Sequence, residues 1–322
     1  MKNTLEIVFA SDNNYSQHLG VSILSLFYSN KTFQKINVYI LENEIGAVNK
    51  QNLLSLTKDF IGRDIIFIDI NEKLEAFKEK YQIPATISIS SYSRLFLTQM
   101  LPPTVDRIIY ADADSIFLNS VANLWEMNMT NSMVAGVQDI VDVKYKKEIG
   151  LTIDQNYVNA GFLLINLEHW RDRKVFIEFI ETIIKHNGAV PHHDQGVINS
   201  VFKGTKLILH PKYNVVTTFY EFAHVKKLRN YFSMDNYYTQ EEFDHAKNNP
   251  VFVHFTPSYS KRPWFLNSRH PLKNQYFKFL EKTPWSDYQL KKDNRKPKIL
   301  LLEKLFWFFG PTVAKQILKF RK

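Results

Sequence analysis

The sequence predicts an α/β fold with a mainly parallel central sheet. The chain has 322 residues, enough to bury the core of one large domain. Short apolar runs alternate with longer segments of helical periodicity, a pattern typical of βαβ units. Two of the apolar runs lead directly into acidic residues. Because ligands of such sheets bind beyond the carboxyl ends of the strands, these acids predict the place of a functional site.

The first third of the chain supplies the regular part of this pattern. The strand-like runs are LEIVFA (5–10), INVYIL (36–41), DIIFIDI (64–70) and RIIYADA (107–113). Helical patterns begin between them at Tyr15, Asn49 and Asn71. The first and the fourth runs both lead into polar residues, and because the sheet is predicted to be mainly parallel, we expect these residues to share one edge of it.

Further elements carry polar residues of interest. The segment ISISSYSRLFLTQML (87–101) has apolar residues at roughly helical spacing around Arg94: Ile89, Tyr92, Leu95, Phe96 and Met100. YVNAGFLLINLEHW contains a buried strand with Asn159 and Gly161 at its start. HHDQGVINSVF predicts a loop that enters a helix at Asp194 and Gln195, and VFVHF predicts a strand that ends near His254.

Composition excludes several kinds of protein. The absence of cysteine excludes disulfides and thiolate metal sites, so a metal must be held by oxygen or imidazole ligands. It also favours a reducing compartment. The net charge of +9 suggests a nucleic-acid partner only until its distribution is considered. Residues 290–322 contain ten Lys or Arg and two acids, so the body is almost neutral and no nucleic acid is expected.

The chain divides into a body, residues 1–288, and a basic aromatic tail, residues 289–322. Pro297 opens the tail pattern and Gly310-Pro311 interrupts it, and no run approaches the roughly 20 apolar residues of a spanning helix. An apolar face recurs at helical spacing, as in a helix that lies on an anionic membrane surface; its residues are Leu302, Leu305, Phe306 and Phe309. The alternative is a helix that packs on the body or on a partner subunit. The N-terminal stretch MKNTLEIVFASDNN lacks the pattern of a signal peptide, so we expect a cytoplasmic protein on the inner face of the membrane.

The motif Asp112-Ala113-Asp114 is the first candidate metal site. Two carboxylates at a strand exit repel each other unless they point into water or share a cation. Their oxygens suit a hard divalent ion such as manganese or magnesium. An isolated Asp-x-Asp is commonly a solvated turn or a helix cap. Here an apolar strand precedes the motif, and Ser115-Ile116-Phe117-Leu118 returns at once to the core.

Six motifs together resemble glycosyltransferase family 8. They are FASDNNY, ISISSYSRL, RIIYADADSIFL, YVNAGFLLINLEHW, HHDQGVINSVFKG and the VHF…KRPW segment, in the family's order over about residues 5–265. The resemblance implies a GT-A fold and a metal-dependent glycosyltransferase that retains anomeric configuration. It also implies that Asp112, Asp114 and His254 bind manganese, or alternatively magnesium, on the diphosphate of a UDP-sugar.

The resemblance assigns further residues to the donor. Those for uridine and ribose are Ala10, Ser11, Asp12, Asn14 and Tyr15, with Asp12 accepting from the uracil amide and Tyr15 stacking on the base. Ala113 lies within the Asp-x-Asp motif, and the residues that would line the sugar pocket are Arg94, Asp139, Asn159, Asp194 and Gln195. Two of these assignments have structural alternatives. Asp12 or Asn13 would cap the following helix without a ligand, and Arg94 would pair with Asp112 or Asp114.

The catalytic candidates are Gln195, Asp194 and Asp139. Retention requires either a covalent double displacement or attack from the face that UDP leaves. The amide of Gln195 is a poor nucleophile, and Gly196 stands where some relatives carry an acid. We therefore expect front-face attack, in which a phosphate oxygen of UDP takes the acceptor proton, with Asp139 as the rival nucleophile.

The segment HFTPSYSKRPW departs from the family pattern. Pro257 replaces a glycine, the loop is slightly longer, and two cations, Lys261 and Arg262, stand before Pro-Trp. Because neighbouring side chains of an extended segment point in different directions, we expect only one of them to reach the diphosphate.

The predicted function is therefore transfer of a hexose, galactose or glucose, from a UDP-sugar to a saccharide or glycoconjugate of the cell envelope. Two other functions are compatible with parts of the sequence. An aspartyl-phosphate phosphatase would carry threonine where this chain has Ile116. A catalytically inactive nucleotide-sugar binder or membrane-bound assembly subunit is the second alternative, and a hydrolysis assay separates it from an enzyme.

Overall fold

The protein folds as α/β, with a mainly parallel central sheet as predicted. The computed structural model describes residues 4–84, 89–293 and 295–319. These residues form one seven-stranded and one three-stranded sheet. The strands are β1 Thr4–Asp12, β2 Lys35–Asn43, β3 Arg63–Asp69, β4 Arg107–Ala111, β5 Ser115–Phe117, β6 Val134–Gln138, β7 Val158–Asn166, β8 Lys206–Ile208, β9 Val215–Val216 and β10 Phe252–His254.

The large sheet has the strand order β3-β2-β1-β4-β7-β6-β8. Its strands pair in parallel, except that β7 runs antiparallel to both of its neighbours. Ile7 of β1 pairs with Ile109 of β4 in parallel register. The carboxyl ends of these two strands therefore lie side by side, which confirms that Asp12 and Asp112 share one edge.

Helices cover both faces of this sheet. The α-helices of the described residues are α1 Ser16–Ser29, α2 Ala47–Ser55, α3 Asn71–Lys80, α4 Leu97–Met100, α5 Ala122–Trp125, α6 Val143–Glu148, α7 Leu167–Asp172, α8 Val175–Lys185, α9 His193–Val201, α10 Val225–Phe232, α11 Gln240–Asn248, α12 Lys273–Leu280 and α13 Pro297–Lys319. The predicted helices after Tyr15, near Asn49 and at Asn71 correspond to α1, α2 and α3, and the predicted helix entry at Asp194 corresponds to α9.

The apolar runs of the central strands reflect burial on both faces. In β1, Val8 faces one hydrophobic cluster, whereas Ile7 and Phe9 face the other. All three side chains are fully buried. Alternate residues of a strand point to opposite faces, so a sheet covered twice requires apolar residues at every position.

The segment around Arg94 is a 3₁₀ helix, Ile89–Phe96, rather than an α-helix. Its apolar residues recur every three positions, which is the period of a 3₁₀ helix. Tyr92, Leu95 and Phe96 are buried, and so is Arg94. Residues 87 and 88 of the predicted helical segment lie outside the described residues. This short helix places Arg94 beneath the end of β4.

The small sheet brings a distant strand to the acid pair. Residues 112–114 turn from β4 into β5, and β10 pairs antiparallel with β5 so that His254 lies opposite Ser115. β9 completes the sheet on the other side of β10. Because β5 follows the acids directly, any residue at the end of β10 must lie close to them.

The tail forms α13, which is interrupted at Gly310 as predicted; this residue has a φ of 80°. The structure corrects part of the predicted membrane-facing surface. Phe306 is buried against the body, where its ring stacks on Tyr259 with centroids 4.2 Å apart. Trp307 and Phe308 are exposed instead, Phe308 to 83%. No helix within the described ranges is both long and apolar enough to cross a membrane.

Candidate active site

The acid pair sits in a turn that is fixed on both sides by backbone hydrogen bonds. The amide of Asp112 donates to the carbonyl of Gly161 in β7 at 2.8 Å, and the amide of Phe255 donates to the carbonyl of Asp114 at 2.8 Å. The hydroxyl of Ser115 donates to the Asp112 carbonyl at 2.7 Å. Three separate elements therefore hold the two carboxylates in place.

His254 meets both acids. Its Nε2 lies 3.0 Å from Oδ1 of Asp114 and 3.7 Å from Oδ2 of Asp112. One ligand atom from each of the three residues lies within 4.8 Å of the other two. We call Asp112, Asp114 and His254 the acid–histidine cluster. It is the set of residues that the sequence predicted as metal ligands.

The surroundings of this cluster fit a divalent cation. A Cβ atom on Gly161 would lie 2.3 Å from Cε1 of His254 and 2.8 Å from Oδ2 of Asp112, so only glycine leaves room for the cluster. Nδ1 of His254 is buried and has no hydrogen-bond partner among the described residues. Two carboxylates and one imidazole form a donor set suited to manganese or magnesium, with manganese favoured by the nitrogen ligand.

Mutual electrostatics dominate the pKa values of the cluster. Burial raises the pKa of Asp114, but the His254 imidazole and the Arg262 guanidinium outweigh burial and hold it well below its usual range. Burial lowers the pKa of His254, yet the carboxylates of Asp114 and Asp112 raise it overall. Asp114 is therefore ionised and available as a ligand at neutral pH.

Arg94 joins the cluster to a second buried acid. Its Nη2 lies 2.9 Å from Oδ1 of Asp112, and its Nε lies 2.8 Å from Oδ2 of Asp194. Its guanidinium also packs over the ring of Tyr110, 4.2 Å from the centroid. The structural alternative for Arg94, a buried partner of Asp112, is thus realised. Asp194 is paired with Arg94 and buried, so it positions Arg94 rather than facing open space.

Gln195 and Asp139 lie together. Nε2 of Gln195 donates to Oδ2 of Asp139 at 2.8 Å, and its Oε1 accepts from the amide of Ala160 at 2.9 Å. A Cβ on the neighbouring Gly196 would lie only 2.0 Å from the carbonyl oxygen of Pro191. This backbone therefore has no room for an acidic side chain at position 196.

Asn159 precedes Gly161 in β7. Its Oδ1 accepts from the amide of Gly161 at 2.9 Å and from Nδ2 of Asn214 at 2.8 Å. These bonds fix the side chain between the acid–histidine cluster and the Gln195–Asp139 pair. Asn214 was not among the predicted residues. The only feature of the sequence that could have indicated it is its position directly before the two-residue strand β9.

A cleft at the ends of β1 and β4 collects most of the predicted donor residues. Its lining residues are Ala10, Ser11, Asp12, Tyr15, Ser90, Ser91, Arg94, Tyr110, Asp112, Ala113 and Asp114. Asn14 is exposed and is not among them. Sequence reasoning missed Ser90, Ser91 and Tyr110. The two serines beside Arg94 in the 3₁₀ segment were the available signal.

Asp12 has the structural role that its sequence context also allowed. Its Oδ1 accepts from the amide of Tyr15 at 3.0 Å and caps the 3₁₀ turn Asn13–Tyr15. Asn13 instead accepts from the amide of Gly46 at 2.9 Å. The cap uses one oxygen of Asp12 and leaves the residue on the wall of the cleft.

Only one of the two adjacent cations in the 256–262 loop reaches the acids. Nη2 of Arg262 lies 2.7 Å from Oδ2 of Asp114, and its Nη1 donates to the hydroxyl of Tyr15 at 3.2 Å. Lys261 points away and lies 3.4 Å from a carboxylate oxygen of Asp293. Arg262 thus contacts two of the residues that line the cleft, Tyr15 and Asp114, whereas Lys261 contacts neither acid of the motif.

Comparison with known proteins gives a consistent picture. The model of the family described as glycosyl transferase family 8 matches residues 6–267. General stress protein A of Bacillus subtilis is 26% identical over 88% of this chain and 95% of its own length. Lipopolysaccharide 1,2-glucosyltransferase of Escherichia coli K12 is 26% identical over 88% of this chain and 79% of its own length.

The fold also matches a solved structure. The galactosyltransferase LgtC in complex with donor and acceptor sugar analogues superposes with a TM-score of 0.71, covers 87% of this chain and 96% of LgtC, and is 24% identical. The central sheet therefore belongs to a GT-A fold. Since the family model matches well over half of the sequence, this chain belongs to glycosyltransferase family 8.

Proposed function

We propose that this protein is a metal-dependent, retaining hexosyltransferase that moves galactose or glucose from a UDP-sugar to a saccharide or glycoconjugate of the cell envelope. The observation that carries the proposal is the acid–histidine cluster, whose three ligand atoms converge within 4.8 Å at the carboxyl edge of the sheet. The glucosyl- and galactosyltransferase relatives support a hexose donor.

The residues in and around the acid–histidine cluster would each have a role in this reaction. The cleft lined by Asp12 and Tyr15 would hold the nucleoside, and Arg262 would contact the diphosphate. A divalent ion on Asp112, Asp114 and His254 would supply positive charge as the UDP leaving group departs. Arg94 holds Asp112 in position, and Asp194 holds Arg94.

The Gln195–Asp139 pair favours front-face attack. The bond between the anomeric carbon and UDP breaks while the acceptor oxygen bonds to the same face, and the acceptor proton moves to a phosphate oxygen of UDP. Gln195 is held by Asp139 and the Ala160 amide. Its amide would therefore be fixed beside a sugar bound at the cluster. Fixed dipoles of this kind stabilise developing charge without rearranging.

The test is a panel of UDP-sugars with manganese, with UDP release measured in the presence and absence of saccharide acceptors. We expect release from UDP-galactose or UDP-glucose that stops on chelation of the metal. Asp112→Asn and Asp114→Asn should abolish that release while the far-UV circular dichroism remains unchanged. Tight UDP-sugar binding without any turnover would instead identify an inactive nucleotide-sugar binder.

We further propose that the tail holds the enzyme on the cytoplasmic face of the membrane. The exposed side chains of Trp307, Phe308 and Phe309 on α13 support this proposal, as does the basic charge of residues 290–322. The packing of Phe306 on the body means that α13 presents only its outer side to a surface.

A further inference from the structure

A second cavity of about 480 Å³ opens between the candidate active site and the tail helix. Asp139 and Asn159 line one end of it, and Ile299 and Leu302 of α13 line the other. Both tail residues lie beyond residues 6–267, the part of the chain that the family model matches. This wall is therefore a feature of this chain's own tail.

The cavity lies directly beside the acid–histidine cluster. Asn159 stands two residues before Gly161 in β7, and residues two apart in a strand face the same side. The chain turns directly after His254, and the amide of Thr256 donates to the carbonyl of His254 at 2.8 Å. A molecule in this cavity would therefore lie next to a sugar held at the cluster, in a space that shares no lining residue with the nucleoside cleft.

The inner and outer parts of the cavity differ in chemistry. The inner end has the carboxylate of Asp139 and the amide of Asn159, which can bind hydroxyl groups. Six of the other lining residues are apolar: Ile140, Val216, Phe232, Pro257, Ile299 and Leu302. The remaining four carry hydroxyl groups that already bond within the protein: Thr218, Thr256, Ser258 and Tyr259. A bare saccharide would leave hydroxyls unpaired against these walls, which costs free energy, whereas a hydrocarbon group would gain by burial.

Loop residues 256–260, which form another wall, are tied to the body and to the tail. The buried carboxylate of Glu221 accepts from Oγ of Ser258 and from the amide of Ser260. Nη1 of Arg295 donates to the carbonyl of Ser258 at 3.2 Å, and Arg295 also pairs with Glu303 of α13. With the Tyr259–Phe306 stack, these contacts make the cavity a preformed site.

We propose that this cavity binds the acceptor, and that the acceptor is a glycoside with an apolar aglycone whose hydrocarbon part packs on Ile299 and Leu302. The inference rests on the proposed transferase function and adds the substrate class. The acceptor hydroxyl lies at the Asp139–Asn159 end, and the aglycone extends along α13. The tail helix thereby contributes to acceptor selection.

The test compares n-octyl with methyl β-D-galactoside and β-D-glucoside, below micellar concentration and without vesicles. Binding is measured by calorimetry in the presence of UDP and manganese, and turnover by glycoside product. We expect the octyl glycosides to bind at least about tenfold more tightly than the methyl glycosides. Leu302→Ser and Ile299→Ser should each reduce this preference by about fivefold or more. Acceptor-independent UDP-sugar hydrolysis should be unchanged in both variants.

Leu301→Ser is the matched control, because Leu301 is the same side chain one position away, 42% exposed and outside the cavity. Equal binding of octyl and methyl glycosides by the wild type would overturn the inference, as would equal loss in the Leu301 and Leu302 variants. Failure of the transferase proposal is visible separately, as absence of UDP-sugar hydrolysis. A preference for octyl glycosides that depends on Leu302 would support the cavity assignment even then.

Discussion

Gly161 determines whether the acid–histidine cluster can form. It lies in β7, and a Cβ atom at this position would overlap the imidazole of His254 and approach a carboxylate oxygen of Asp112. The hydrogen bond from the Asp112 amide to the Gly161 carbonyl prevents these two segments of the chain from moving apart. The sequence marked Gly161 only as part of a motif, and the close contact is a property of the folded strands.

The substitution Gly161→Ala should therefore weaken manganese binding. We expect a loss of about tenfold or more in affinity, since the methyl group displaces a metal ligand. The measurement is calorimetric titration of manganese into the protein. Gly204→Ala is the control, because a Cβ there meets nothing within 4 Å. Unchanged manganese affinity in the Gly161 variant would show that the acid–histidine cluster is not the metal site.

Arg262 and Lys261 form a natural matched pair. Arg262→Met should weaken UDP binding by about tenfold or more, because a charge-assisted contact with the diphosphate is lost while the aliphatic stem remains. Lys261→Met should leave UDP affinity within about twofold, because Lys261 pairs with Asp293 instead. UDP affinities of the two variants, measured with manganese present, check the prediction. The reverse order would show that the loop rearranges on donor binding.

At the scale of elements, α1 is packed under the active site through a buried histidine. The ring of His18 stacks on Trp264 with centroids 3.9 Å apart, and its Nδ1 lies 2.7 Å from the hydroxyl of Tyr276 in α12. Burial, assisted by the positive charge of Lys291, lowers the pKa of His18 to about 3. The folded protein therefore keeps His18 neutral far below the ordinary pKa of histidine.

This shift predicts a pH dependence of folding stability. Above about pH 6.5 His18 is neutral in both states, whereas below it the unfolded chain binds a proton that the folded chain rejects. Its contribution to stability is thus complete above pH 6.5 and is lost as the pH falls toward 3. Between about pH 7.5 and pH 5 the loss is about 2 kcal/mol.

Urea unfolding of the wild type and of His18→Phe at both pH values provides the measurement. Phe cannot titrate and keeps an aromatic ring against Trp264, and Tyr276 retains its bond from Gln17. We expect the free energy of unfolding of the variant to fall by about 2 kcal/mol less than that of the wild type between these pH values. Parallel pH profiles would show that His18 protonates in the folded protein.

Two elements show why sequence spacing has limited power. The segment around Arg94 has apolar residues three positions apart. Over so short a segment, this spacing is compatible with an α-helix as well as with a 3₁₀ helix. In the folded protein the segment is a 3₁₀ helix, with Tyr92, Leu95 and Phe96 packed in the core. In α13 the apolar residues surround the helix, so spacing alone could not tell which of them would meet the body. The structure shows that Phe306 meets the body, because its ring stacks on Tyr259.

At the scale of the whole molecule, the net positive charge is concentrated at the C-terminal end of the sequence. Residues 290–322 carry ten of the 41 Lys and Arg residues and only two of the 32 acids. α13 combines this charge with exposed aromatic side chains. Because the same helix also walls the second cavity, membrane attachment and acceptor binding would be coupled through one element.

The membrane proposal predicts binding to anionic vesicles that weakens as salt is added, since surface charges are screened. We expect cosedimentation with phosphatidylglycerol vesicles and much less with phosphatidylcholine. The double substitution Trp307→Ser and Phe308→Ser should reduce binding by about tenfold. Ile61→Ser is the control, because Ile61 is an apolar residue of the body that is even more exposed, at 97%. Equal binding to neutral and anionic vesicles would contradict the electrostatic part of the proposal.

The sequence by itself determined the α/β class, the strands that carry the acids and the family. Those features depend on local periodicity and on motif order, which a single chain displays directly. The tertiary structure decided which of two adjacent cations contacts the acid pair, that Asp194 pairs with Arg94, and that the tail helix walls a second cavity. These facts depend on side-chain direction and on contacts between residues far apart in the chain, and neither is encoded in spacing.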